Sequence, residues 1–229
     1  MGAAATAVGI CIALAIWTGP GRAAPHSCPG DPLISVEAES PDDAAAVCAA
    51  VARARPRLDA CNLHQAQPLT IRVLPQITHA LTACMAQYHC HDDSISVTAP
   101  RALPSILAPD SIWRRITPQA LFDSLIVHEL VHAFLDQAEC SGTPCLADHE
   151  YIAFALQIDA LEPADQAAIL DGNGIDDPDN TGRLNGFIAR MDPGYFAQAA
   201  WLHFSQPDNG CAFVGDLVRG KRTLWVDPY

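Results

Sequence analysis

Lysine is nearly missing from this sequence: Lys221 is the only one, and the other basic residues are arginines. Thirteen basic against 26 acidic side chains give a formal charge of -13. Phosphate contacts need clustered cations, so nucleic acid is not an expected partner. A long apolar run is missing too. Residues 3–17 are apolar, but they fall short of the roughly 20 residues of a membrane span, so no stable membrane insertion is expected. There is no Gly-rich phosphate loop, no nucleophile elbow, no four-cysteine zinc pattern and no internal repeat. Disorder is excluded by composition, with 50% apolar and only 17% charged residues in a chain of 229. That length suits one domain with a real core.

Cysteine, by contrast, is plentiful and odd in number, at nine. Residues 1–23 read as a secretory signal peptide, with a small-residue cut after Ala23 and Gly21 at the −3 position. Cleavage removes Cys11 and leaves an even set, as expected for disulfides formed outside a reducing cytosol. Short spacing favours the pairs Cys140–Cys145 and Cys84–Cys90, leaving Cys28, Cys48, Cys61 and Cys211. The arginine and alanine bias suggests a GC-rich bacterium. The expected location is the periplasm or the extracellular space.

Residues 24–32 are rich in Pro and Gly and read as extended. The alternation in 33–39 predicts a half-buried strand, and 69–74, 87–90 and 93–99 read as further strands. Ser40-Pro41-Asp42-Asp43 is a helix start, with Pro56 expected to stop or kink the helix. A short helix is predicted over 77–85. The strongest helix runs from Thr117-Pro118 to about Gln137, and its apolar residues surround nearly the whole circumference. Such a helix belongs in the middle of a domain. A second helix is expected over 148–161, and others at 163–170, 184–190, 193–204 and 211–219.

Polar residues on a buried helix require explanation. Here they are His128, Glu129 and His132, in His-Glu-Leu-Val-His. Histidines at i and i+4 share one helix face, so both imidazoles can reach one metal ion. Glu129 is rotated by about 100° from His128. It can stand beside the metal without binding it and accept a proton from water. Zinc suits such ligands and needs one more from the protein. The plain alternative is a pair of core histidines with local hydrogen bonds. A Gly and a His three and six residues after the second histidine would mark one zinc-peptidase pattern, but Leu135 and Ala138 stand there. Glu150, near the start of the next helix, is the favoured third ligand, and Asp148 and His149 remain alternatives.

This layout resembles the gluzincin branch of the zincin metallopeptidases, over residues 33–161. It is also similar to uncharacterised exported bacterial proteins with a Glu-Tyr pair after the motif. The resemblance implies an α+β, zincin-like fold: a small twisted sheet, then the active-site helix, then a mainly helical C-terminal part. Residues 24–229 would form one domain, with a sheet-containing half over 33–116 and a helical half with the metal site over 117–229. Asp93–Ala99 would be the edge strand that lines the cleft. The family often has an acid four positions after the ligand Glu. Phe154 departs from that; Asp136, one turn after His132, would be a substitute orienter, and an exposed helix-end charge is the equal alternative. The implied activity is a zinc-dependent hydrolase cleaving peptide bonds through Glu129, with peptide or protein substrates. Tyr195 and His203, then Tyr151, are candidates to stabilise the oxyanion. The alternative is a zincin-fold envelope protein that binds zinc and a peptide or partner with little turnover.

The acidic stretch Asp171–Asn180 clusters carboxylates and amides. It looks like a fragment of thrombospondin type 3 calcium repeats. A calcium site and a solvated acidic loop both fit it.

Overall fold

The computed structural model describes residues 25–79, 82–137 and 146–224. The expected signal segment, 1–23, and the expected Cys140–Cys145 pair lie outside them. The fold is mixed α+β. Strand β1 (His26–Cys28) pairs antiparallel with β2 (Asp31–Glu37). Helix α1 (Pro41–Ala60) then leads to β3 (Leu69–Leu74), which lies parallel to β2. The same sheet holds β6 (Ala86–His89) and β7 (Ser94–Thr98), in the order β1-β2-β3-β7-β6.

Alternation builds the sheet's buried face. In β3, Leu69, Ile71 and Val73 are buried and their neighbours half-buried. Helix α1 begins as its sequence dictates: the Ser40 hydroxyl accepts from the Asp42 N–H, and Pro41 opens the first turn. It does not stop at Pro56 but continues to Ala60. Ala54 and Leu58, on either side of the proline, are fully buried. That burial outweighs the hydrogen bond which a helical proline forfeits.

The stretch expected to be helical, 77–85, instead forms a hairpin of β4 (Ile77–His79) and β5 (Thr82–Cys84). Ile77, Thr78 and Thr82 are β-branched and favour that backbone. The expected edge strand, Asp93–Ala99, is interior: β7 lies parallel to β3 on one side and antiparallel to β6 on the other. All five of its residues are buried. The edge is β6, joined to β7 by a turn in which Asp93 takes a φ of 46°.

The long helix is α3 (Pro118–Gln137), against which β6, β7 and α1 pack. Helix α4 (Leu146–Asp159) packs on α3 and on α7 (Pro193–Phe204). Between and after them lie α5 (Pro163–Leu170), α6 (Gly186–Met191) and α8 (Gly210–Val218), and a short α2 (Leu103–Ile106) precedes α3. One cluster of buried apolar side chains extends from Cys28 to Leu224. No described helix is long and apolar enough to cross a membrane.

Among the described residues two disulfides are closed, Cys28–Cys48 and Cys61–Cys211. The expected Cys84–Cys90 bridge is not one of them. Strand β6 runs between those residues and alone separates its ends by about 10 Å, beyond the roughly 7 Å that a disulfide can span. Cys61–Cys211 joins the end of α1 to α8 across 150 residues, while Cys28–Cys48 closes only 20. Loop entropy makes the long bridge worth about 5 kcal/mol and the short one about 3. Denaturant unfolding should therefore show a larger loss for the Cys61→Ser/Cys211→Ser pair than for Cys28→Ser/Cys48→Ser.

Candidate metal centre

Helix α3 carries His128, Glu129 and His132 through the core, and α4 brings Glu150 against them. The donor atoms of His128, His132 and Glu150 all lie within 4.8 Å of one another. The two Nε2 atoms are 3.1 Å apart. Glu150 straddles them, with Oε2 3.7 Å from His128 Nε2 and Oε1 3.7 Å from His132 Nε2. Two ligands of a tetrahedral zinc, each at about 2.0–2.1 Å, lie roughly 3.3 Å apart. The observed spacings bracket that value, and two imidazoles with a carboxylate form a donor set that zinc accepts. The residues present fit the ion.

The site's electrostatics follow from burial. It lowers the His128 pKa to about 4 and takes His132 well below its usual value, with the neighbouring His128 and His149 adding to the latter. It raises Glu150 to about 7. Glu129, only 6% exposed, is raised to about 8, first by burial and then by the Glu150 charge, while the Tyr88 N–H on its carboxylate opposes the rise. The metal-free pocket thus drives these groups toward their neutral forms. A divalent cation among them reverses that bias.

The cleft over the three donors has a volume of about 420 Å³. Its walls are β6 with Tyr88, Cys90 in the turn that follows, and the helix side chains Glu129, Asp136, His149 and Glu150. Of the alternative third ligands, Asp148 is engaged elsewhere: its carboxylate accepts from the Leu224 N–H at 2.7 Å and the Thr223 hydroxyl at 3.1 Å. His149 lines the cleft, its ring centre 6.5 Å from that of His132, but is not among the three gathered donors.

The other expected site residues are placed differently. His203 is 3% exposed and sits behind α4, its Nδ1 2.8 Å from the Tyr151 hydroxyl and its ring on Phe213. Tyr151 is itself fully buried. Tyr195 lies in the first turn of α7, with its N–H bonded to Asp192. None of the three lines the cleft. Tyr151 and His203 serve packing instead, each ring meeting the other and Phe213 edge-on. Asp136 does not orient a ligand histidine: it lies 3.0 Å from the Tyr88 hydroxyl, which is equally close to Asp93. The residue bonded to His128 is Gln157, with Oε1 2.9 Å from Nδ1. A lone glutamine in the apolar run of α4 was the available signal, on the logic that exposed His128 in α3.

In the acidic stretch, amides close turns. Asn173 Oδ1 accepts from the Ile175 N–H, and Asn180 Oδ1 from the Gly182 N–H. Among the described residues its carboxylates are not gathered as a metal-holding group. The calcium expectation gains no support.

A family model described as a family of unknown function, DUF6639, matches residues 34–227. The chain belongs to the DUF6639 family. No curated protein and no solved structure matches it. The matched span of this DUF6639 member contains all three donors, Glu129 and Gln157.

Chelator-stripped protein should take up one zinc ion per chain and melt at a higher temperature with excess zinc, by about 2.7 kcal/mol of stabilisation at a hundred times Kd. Replacing His132 or Glu150 by Ala should remove that response, as equilibrium dialysis and thermal unfolding would show.

Proposed function

We propose that this DUF6639 protein is a zinc-dependent hydrolase that cleaves peptide bonds on a zincin-like, gluzincin-type frame. The observation that carries the reading is the meeting of His128, His132 and Glu150 with Glu129 beside them in one open cleft. Zinc held by those three side chains would supply a Lewis acid and make water acidic enough to attack a carbonyl near neutral pH. Glu129 handles the proton. Its carboxylate accepts one from the attacking water and returns it to the leaving amine. The Tyr88 N–H holds that carboxylate toward the cleft.

The walls support a peptide substrate. Met85 accepts from Thr98 at 2.8 Å, and the antiparallel register continues through Gln87 and His89. Ala86 and Tyr88 therefore turn their backbone groups away from β7; the Tyr88 N–H is taken by Glu129, which leaves the Tyr88 carbonyl and both Ala86 groups facing outward. An extended chain can add to that edge as a further strand. Beside His128 and Glu129 opens a cavity of about 140 Å³, walled by Met85, Trp113, Leu125 and Phe154. A dry cavity of about 150 Å³ accepts benzene, so a Phe or Leu side chain beside the cut bond fits this one. With Tyr195 and His203 outside the cleft, His149 is the polar side chain of its wall that can serve as the donor, since the Tyr88 hydroxyl is held by Asp93 and Asp136. The two disulfides are compatible with export to an oxidising compartment, the periplasm or beyond.

The decisive comparison is wild type beside Glu129→Gln, zinc-loaded, on a mixed peptide library. The variant should hold zinc equally but lose at least about 10²–10⁴-fold in cleavage rate. Equal turnover by the two proteins would falsify the assignment, and zinc uptake with no cleavage by either would leave a binding protein. Cuts by the wild type should fall beside large apolar residues.

A further inference from the structure

Behind His128 runs a chain of buried hydrogen bonds whose direction is fixed from its far end. The Ser124 hydroxyl donates to the Leu121 carbonyl at 2.8 Å. With its one hydrogen committed, Ser124 Oγ offers a lone pair. The Gln157 amide donates Nε2–H to it at 3.2 Å. That contact turns the amide's carbonyl oxygen toward His128, where Oε1 lies 2.9 Å from Nδ1. A carbonyl oxygen only accepts, so Nδ1 carries the hydrogen. A neutral imidazole has one such hydrogen, so Nε2, the atom facing His132 and Glu150, is bare. Ser124 and Gln157 are each 1% exposed. Gln157 follows Glu150 by seven residues, two turns along the same helix face.

We propose that Gln157, oriented by Ser124, is the positioning residue that locks His128 in the Nδ1–H tautomer and keeps its Nε2 lone pair aimed at the metal site. Phe154 completes the arrangement: its ring meets the His128 ring edge-on, 4.5 Å between centres. The orienting task is thus divided between a packed ring and a neutral amide. A carboxylate in that place raises the basicity of the imidazole it holds, and an amide does so less. The tautomer stands on the hydrogen bonds alone, while its consequence for metal binding rests on the zinc reading above.

Two measurements test this. In metal-free protein labelled with ¹⁵N-histidine, His128 should show a protonated Nδ1 and a bare Nε2. Gln157→Leu should mix or reverse the tautomers, Gln157→Glu should restore the Nδ1–H form, and Ser124→Ala should fall between. By zinc titration, Gln157→Leu should weaken binding by about 10–100-fold, with Gln157→Glu recovering it. An Nε2–H form in the wild type overturns the proposal, as does Gln157→Leu with tautomer and zinc affinity unchanged. If Gln157→Leu fails to fold, the wild-type spectrum and Ser124→Ala still decide. If the wild type takes up no zinc, the hydrolase reading falls while the tautomer still judges Gln157.

Discussion

Helix α3 must cross the apolar core while carrying ionisable side chains. An uncompensated charge there is expensive, and a hydrogen bond left unmade is costly too. The protein meets the constraint with one neighbour. Helix α4 supplies Glu150 to the open side of the His128–His132 pair and Gln157 to its buried side. The packing of α3 on α4 is therefore the site. The sheet contributes a wall: β6, placed at the edge by β7, brings the Tyr88 N–H onto Glu129.

That division explains what could be read from the sequence. The motif and its helix were legible because they are local: a 3.6-residue apolar period with polar interruptions states both burial and chemistry within twenty residues. Glu150 was legible for the same reason, one helix further on. The order of strands was not. Ser94-Ile95-Ser96-Val97-Thr98 alternates like a half-exposed edge, yet its hydroxyls are buried, with Ser96 3.0 Å from His89 and Thr98 donating to the Cys84 carbonyl. Only the long-range pairing of β6 and the packing of the β4–β5 hairpin tell them apart. Residues 77–85 read as helical because Ile77, Leu81 and Met85 recur at helical spacing, a local signal that the strand pairing overrides.

Cysteine spacing misled for a related reason. Nearness in sequence is nearness in space only when the chain between turns back, and β6 holds Cys84 and Cys90 apart. The closed bridge of longest span, Cys61–Cys211, instead ties the helix behind the sheet to the last described helix. Its effect is on the frame that holds α4, since α8 packs on α7 and α7 on α4.

The misplaced candidates acquire a different meaning in that frame. A ligand set tolerates errors of about 0.5 Å, so Glu150 needs a rigid helix beneath it. Two contacts bracket it: Asp148 is held by Leu224 and Thr223, and Tyr151 by His203, itself within reach of Asn209. Tyr151, His203 and Phe213 stack edge to face. Side chains that sequence alone offered as oxyanion donors thus fix the depth and rotation of α4. Because Glu150 and Gln157 share that helix, one rigid placement sets both the cleft-facing carboxylate and the amide that decides which nitrogen of His128 is bare.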